Sequence, residues 1–564
     1  MATQGHTSVA GRYPIYKAAF AAYAHMTFLL LLPTHMLEGS NLTIKFNEEL
    51  NIFVGNNDSG KSTLLEVISI LTTGKVNGYA FDRNLKASFF NVGAKHRYLD
   101  SIKKGEFEIP PSIILEAYFE GMDAKYSGTN NTLSENISGI SVQVSLDEDN
   151  DKIYKELLKD NKLTDIPVEL YSVKTKYFSG EKVYYKKFPV NSFFVDTTRK
   201  DYSNVISKFV DNTITENLTQ EQITNLSLAY RQARNAFHEN EIITDLNNVL
   251  KEKMLHEHKG YSIDIKEETV DEWKNDLSIM LNDIPFENLG FGTQNIIKME
   301  LAVNNNATRT NILMLEEPEN NLSYSNMTTL ISHLLQSKNV QVFISTHSSF
   351  IANKLQLNNL LLINNGIVTS FSNLDKDTQN YFSKLPGYDT LRFILANRVI
   401  LVEGPTDDLI LQRAYKDKYG VLPSDKGIDI IAVKGLSFKR YLDIAKITRK
   451  KVSVVTDNDR NIEKNIKEKY KDYRSDSFIC FFYEKNEELN TIEPSVLQVN
   501  LEDGRPSEKF KSVLSKKDSS KNADFKEMLQ YMTNNKTEWA LRVFDSEESI
   551  NYPEYIQDVV KEYC

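Results

Sequence analysis

Short apolar runs recur along the chain, each closed by glycine, asparagine or an acid, with helix-patterned stretches between them. Residues 50–54 form one such run. They lead into a glycine-rich loop, and residues 63–68 leave it with helical spacing. Residues 42–46 alternate as a strand expected to pair beside 50–54. Residues 113–119 and 140–144 read as further strands, and 171–188 as a hairpin turning at Ser179-Gly180. From about 202 to 255 the pattern is helical and polar, which predicts an inserted helical arm whose expected role is dimerisation. Apolar strands return at 312–315 and 342–347. Beyond Pro386-Gly387-Tyr388 a second series begins, with strands at 399–402, 428–433 and 452–456 and helices at 409–415 and 438–448. Strands alternating with helices predict a parallel sheet. The pattern therefore predicts an α/β chain with one domain over 39–385, carrying the insertion, and another over 394–564.

The first 38 residues stand apart. Residues 18–32 are nearly all apolar, too few to span a bilayer comfortably. A buried first strand, or translation from Met26 or Met36, accounts for them, and no membrane partner is expected. The 564 residues suggest about three or four domain-sized units. Apolar content of 41% and charged content of 26% are those of a globular protein with sizeable cores. A net charge of −10 argues against general nucleic-acid coating but leaves room for a local basic groove. Cys480 and Cys564 give neither a disulfide framework nor metal spacing, which fits a reducing cytoplasm.

The loop after 50–54 reads Gly55-Asn56-Asn57-Asp58-Ser59-Gly60-Lys61-Ser62, a phosphate-binding loop with Thr63 following. Its glycines let backbone N–H groups converge on phosphates, Lys61 reaches the β- and γ-phosphates of ATP, and Ser62 ligates Mg²⁺. The run 312–315 ends in Glu316-Glu317-Pro318-Glu319, a Walker B pattern. There Glu316 is expected in the Mg²⁺ shell and Glu317 is expected to polarise the attacking water. Gly290-Phe291-Gly292-Thr293-Gln294 resembles an ABC signature, whose Gly290, Gly292 and Gln294 would meet ATP held by a partner subunit. His347, ending the strand that begins at Val342, is the candidate γ-phosphate sensor.

The second series carries acids at its strand ends: Glu403 and Asp407 after the first, Asp457 and Asp459 after the third. Strand carboxyl ends are where parallel sheets place their sites. Oxygen ligands of this kind suit Mg²⁺ or Mn²⁺, which in pairs promote phosphodiester hydrolysis. Between Val433 and Lys451, Lys434, Lys439, Arg440, Lys446, Arg449, Lys450 and Lys451 are opposed by Asp443 alone and form a candidate DNA contact. Lys509, Lys511, Lys516, Lys517 and Lys521 form a looser run, read as surface.

Six words stand in order: G-N-N-D-S-G-K-S, L-G-F-G-T-Q, L-E-E-P-E, S-T-H-S, V-E-G-P-T-D and T-D-N-D. The last two resemble a Toprim domain. The set resembles the OLD (overcoming lysogenisation defect) family of nucleases, which includes the nuclease subunit of Gabija defence systems. The resemblance covers nearly the whole chain beyond about Leu42. It departs at Asn320-Asn321-Leu322-Ser323, where many relatives place a histidine, and no Q-loop glutamine is evident. The resemblance implies an ABC-type P-loop ATPase followed by a Rossmann-like Toprim domain. It implies a metal-dependent DNA endonuclease or nickase regulated by ATP, serving antiphage defence as a homodimer or higher homo-oligomer. A helicase, or a retron reverse transcriptase, is an expected partner. It also implies that Lys536 is the Toprim lysine on the scissile phosphate and that Glu493 is a further acid. A DNA-clamping ATPase of the SMC/RecF type, with the Toprim acids as remnants, is the alternative. A topoisomerase- or primase-like enzyme fits least, since no catalytic tyrosine or zinc motif is evident.

Overall fold

The computed structural model describes residues 25–27, 42–105, 110–159, 163–197, 214, 218–253, 262–263, 272–304, 311–336, 340–364, 366–384, 390–433, 438–514 and 523–562. The apolar N-terminal run beyond 25–27, the turn at 386–388, Lys434, Lys516, Lys517 and Lys521 lie outside these residues.

The first sheet is built on β1 (Leu50–Val54). Its neighbours come from far along the chain. Its order is β9 (Ile367–Ser370), β8 (Leu360–Asn364), β1, β7 (Gln341–Ser345), β6 (Ile312–Glu316), β5 (Ser192–Asp196). All pairs are parallel except β8 with β9. Every residue of β6 and β7 is buried, as expected of central parallel strands covered on both faces. Glu316 on β6 registers with Ser345 on β7 and with Asp196 on β5, so three chain segments deliver polar groups to one edge.

Helix α1 (Lys61–Thr73) packs one face on this sheet and another on an antiparallel sheet of β2 (Ile113–Glu120), β3 (Ile137–Leu146) and β4 (Tyr171–Tyr177). Leu64, Leu65, Ile68 and Leu71 fill that core with Phe53, Leu115, Phe119 and Val142. A strand at His25–Thr27 pairs with β2. The hairpin after β4 turns at Gly180, with Tyr177 N–H donating to the Glu181 carbonyl at 2.8 Å.

The strand expected over 42–46 is not formed. Both edges of β1 are taken by β7 and β8, which leaves no ladder for it. Ile44 and Phe46 are buried without strand pairing, and Asn51 ties the segment back through Asn47. The insertion is helical where described: α2 (Gln220–His238), opened by a Thr219 capping box, and α3 (Glu241–Lys253).

The second domain has a four-stranded parallel sheet, ordered β11 (Ile428–Ala432), β10 (Arg398–Val402), β12 (Val452–Val455), β13 (Ile479–Phe482). The core does not stop between the domains. A single cluster runs from Ile52, Leu315 and Ile344 through Phe382, Leu391 and Phe393 to Leu401, Tyr441 and Val454. The link is made by α6 (Ser349–Lys354), α7 (Lys376–Lys384) and α8 (Thr390–Leu395), packed against α10 (Phe438–Thr448). Asp443 on α10 accepts from Thr378 Oγ1 and Tyr473 Oη, each at 2.6 Å, and so joins the domains by hydrogen bonds.

Candidate functional site

The phosphate loop follows from glycine geometry. Gly60 sits at φ 100°, open only to glycine without strain, and caps α1. A Cβ on Gly55 would lie 2.4 Å from Ser59 Oγ and 2.5 Å from the Ile363 carbonyl, so only glycine fits there. Lys61 Nζ donates to the carbonyls of Gly55 and Asn56, each at 3.0 Å. Burial lowers its affinity for the proton, while Glu317, Asp58 and Glu316 act to restore it. Asn56, Asn57 and Asp58 are exposed on the loop, and Ser62 and Thr63 are exposed at the start of α1.

Opposite Lys61, Glu317 takes a left-handed φ of 45° directly after β6. Thr197 Oγ1 holds the carbonyls of Glu316 and Glu317 at 2.9 and 2.6 Å. Glu317 Oε1 lies 3.5 Å from Nε2 of His347, whose side chain is 40% exposed. Burial, then the charge of Glu319, pushes the Glu317 carboxyl up to about 8. Glu319 has a place that sequence reading left blank. Its Oε1 accepts from Thr346 Oγ1 at 2.6 Å and from the His347 N–H at 2.9 Å, and its Oε2 is buried without a partner. The third acid of L-E-E-P-E thus joins the Walker B turn to the His347 segment.

Helix α4 (Phe291–Asn304) carries the signature-like turn. Gln294, predicted to meet nucleotide, is buried, and its Nε2 donates to the carbonyls of Phe286, Glu287 and Leu289. It shapes the turn from within. Gly292 is required because a Cβ would lie 2.4 Å from the Asn321 carbonyl, whereas Gly290 is exposed with open space around it. Asn295 Nδ2 donates to the Asn320 carbonyl at 3.0 Å. The divergent Asn320-Asn321 segment is therefore the piece docked on the signature-like turn.

The second centre lies at the strand ends of the other sheet. Glu403 Oε1, just after β10, accepts from Thr456 Oγ1 at 2.7 Å and from the Asp457 N–H at 3.0 Å. Asp407, in the first turn of α9 (Pro405–Tyr419), closes that turn by accepting from the Gly404 N–H at 3.0 Å. Burial, then the charge of Glu403, holds it up at about 7. Burial, followed by Glu403, Asp407, Glu493 and Asp459, pushes Asp457 up to about 9. Glu493, buried in the first turn of α11 (Ile492–Val499), accepts from Thr491 Oγ1 at 2.7 Å. Five carboxylates thus act on one another, with no lysine or arginine ion-paired to them among the described residues. No three acids, histidines or cysteines stand close enough together to hold an ion among the described residues. Their donor chemistry, all oxygen and crowded with like charge, nonetheless fits a divalent cation.

Lys536 opens the helix α13 (Lys536–Asp545), exposed and without a hydrogen bond or ion pair to these acids. Four cations of the basic cluster predicted to touch DNA have partners within the molecule. Arg440 bonds to Thr378 at 2.9 Å, Lys446 to the Asp472 carbonyl at 3.0 Å, Lys450 to the Ala396 carbonyl, and Lys451 pairs with Glu562 at 2.6 Å.

The AAA ATPase domain family matches residues 39–352. The "Overcoming lysogenization defect protein-like, TOPRIM domain" family matches residues 394–459. No curated protein matches. Among solved structures, a Pyrococcus furiosus Smc head domain bound to the C-terminal domain of ScpA is 11% identical. It covers 64% of this chain and 99% of its own, with a TM-score of 0.33. The recombination mediator RecF with ATP is 14% identical, covers 63% and 100%, and has a TM-score of 0.31. The C-terminal region of the Burkholderia pseudomallei OLD protein is 17% identical, covers 30% and 97%, and has a TM-score of 0.23. No helix among the described residues is long and apolar enough to cross a membrane. The chain belongs to the AAA ATPase domain family, and it carries an OLD-like TOPRIM domain behind its P-loop ATPase domain.

Proposed function

We propose that this protein is an ATP-regulated, metal-dependent DNA endonuclease or nickase of the OLD type, acting in antiphage defence as a homodimer or larger homo-oligomer in the cytoplasm. The observation that carries the reading is the juncture of Glu403 with Thr456 and the Asp457 N–H at the strand ends, in a chain that pairs an ATPase domain with an OLD-like TOPRIM domain. Bound Mg²⁺ or Mn²⁺ would supply a lowered water pKa and charge neutralisation at the leaving oxygen. Glu403, Asp407, Asp457 and Asp459 would hold it. Thr456 and the Asp457 N–H keep Glu403 turned toward the D-x-D strand end. Lys536 would meet the substrate phosphate. In the first domain Gly55 to Thr63 would cradle the phosphates of ATP, and Ser62 and Glu316 would hold its Mg²⁺. Glu317 is poised near neutrality to polarise water, with His347 beside it. Gly290 and Gly292 would complete a partner subunit's site. The helical pair α2 and α3 serves as the dimerisation arm, with Ile242, Leu246 and Val249 exposed along α3. A helicase or a retron reverse transcriptase remains the proposed system partner.

The test is plasmid nicking and ATP turnover measured on the same purified variants, with Mg²⁺ and then Mn²⁺. Asp457→Ala should lose cleavage by about 10³-fold, equivalent to about 4 kcal/mol, and keep ATP binding. Glu317→Gln should keep ATP bound and slow its hydrolysis by about 10²-fold. Lys61→Ala should weaken ATP binding about tenfold or more, having lost a charged phosphate contact. Cleavage at the wild-type rate by Asp457→Ala would place the nuclease site elsewhere and favour the DNA-clamp alternative.

A further inference from the structure

Arg440, Lys446, Lys450 and Lys451 have partners within the molecule, and a second basic segment is tied directly to the acids. The segment directly after Asp459 is the one structurally tied to them. Asp459 and Arg460 are consecutive left-handed residues, at φ 46° and 63°. The chain then enters a π-helical turn, Glu463–Glu468, a rare backbone form found frequently at functional sites. Asn458, wholly buried, anchors the start. Its Nδ2 donates to the carbonyls of Glu484 and Asn486 at 2.9 and 3.0 Å, and its Oδ1 accepts from the Arg460 N–H at 2.9 Å. Asn465 Nδ2 reaches back to the carbonyls of Asn458 and Asp459, both at 3.3 Å. The π-turn and the D-x-D loop are thereby one unit.

Ile466 and Tyr470 are buried on the inner side of this segment. The Tyr470 hydroxyl has no hydrogen-bond partner and lies within electrostatic reach of Glu403 and Asp459. Arg460, Lys464, Lys467, Lys471 and Arg474 follow one another at alternating steps of four and three residues, and all are exposed. With Ile466 and Tyr470 buried, these side chains lie on the solvent side of the segment. Arg474 and Lys467 act electrostatically on each other. From 460 to 474, six lysines and arginines face three acids, in a chain of net charge −10. Lys467 pairs with Glu463 at 2.8 Å, but both are well exposed, and such a pair contributes little and exchanges readily for a phosphate.

We infer that residues 459–474 form the phosphate-binding ridge of the carboxylate centre. Arg460, Lys464, Lys467, Lys471 and Arg474 would grip the backbone of duplex DNA so that one strand lies over Glu403, Asp457 and Asp459. The inference rests on the nuclease reading for its substrate. Charge complementarity and the hydrogen-bonded tie to the acids select the partner, because phosphate contacts position a duplex without reading its sequence.

The experiment replaces Lys464, Lys467, Lys471 and Arg474 by glutamine in the full chain. It measures binding of a fluorescent duplex of about 40 bp in EDTA across salt concentrations, so that cleavage plays no part. The quadruple variant should bind at least about tenfold more weakly, and the slope of log K against log salt should become shallower by about three. Unchanged ATP turnover verifies the fold. If the variant keeps the wild-type affinity and slope while the wild type binds and cuts, the ridge is wrong and the nuclease reading stands. If binding depends on the ridge but the wild type cuts nothing with any nucleotide or metal, the ridge stands and the nuclease reading fails. A wild type that binds no DNA sinks both.

Discussion

Asp457 sits in surroundings that disfavour its charged form. Burial and four neighbouring acids hold its carboxyl at about 9, so near neutral pH the folded state keeps it protonated although a free aspartate would be ionised. The unfolded chain binds fewer protons at this position, so the group's opposition to folding grows as pH rises from its ordinary 3.8 to about 9 and is complete above that. Asp457→Asn removes that opposition at nearly constant shape. In EDTA its melting temperature should equal or exceed that of the wild type. Added Mn²⁺ should raise the wild-type melting temperature and leave the variant unmoved. A variant that melts well below the wild type in EDTA would show that the carboxylate is structurally needed. Residue detail also decides how the signature-like turn is probed. Gly292→Asp would clash with the Asn321 carbonyl and damage the fold, whereas Gly290→Asp enters open space. Gly290→Asp should lower ATP turnover about tenfold or more through like charge against a partner's γ-phosphate, with an unchanged melting temperature. Unaltered turnover would make the turn a simple helix start.

Among elements, α13 depends on an arginine from another helix. Arg413 on α9 sends Nη1 to the carbonyls of Val543, Phe544 and Ser546 and Nη2 to that of Glu548, while Nε binds Asp417 at 2.7 Å. It closes the end of the helix that Lys536 begins. Arg413→Met leaves those carbonyls without their donor and Asp417 with the Tyr552 hydroxyl as its remaining partner, and should cost about 3 kcal/mol, read from urea unfolding. Retention of full stability would mean that water replaces the guanidinium. Elements were the most legible level of this sequence. Runs such as 312–315, 342–345 and 399–402 announce strands because both faces of each are buried, and the words that end them announce the chemistry. Residues 42–46 misled because pairing is settled by competitors, here β7 and β8, some three hundred residues away. The intramolecular partners of the 434–451 cations were hidden for the same reason: Thr378, Asp472 and Glu562 are distant in sequence. Glu319 and Asn458 gave no signal because their work is hydrogen bonding to backbone and to a neighbouring strand end, which composition and spacing do not record.

At the scale of the molecule, the common core from Ile52 to Val454 means that the two domains share side chains across their boundary. A core shared in this way should unfold as one cooperative unit. This gives the molecule an optical handle. Its two tryptophans are divided, Trp273 in the first domain and Trp539 fully buried in the second, far along the chain from the phosphate loop. In a Trp273→Phe background all indole emission comes from Trp539. Saturating ATP at about 100 Kd adds about 2.7 kcal/mol to whatever unfolds with the nucleotide site. The Trp539 transition should therefore move upward with ATP, by the same amount as the calorimetric peak. An emission transition that ignores ATP would mean that the domains come apart separately. A fluorophore in one domain would otherwise report, as colour, the occupancy of a pocket in the other.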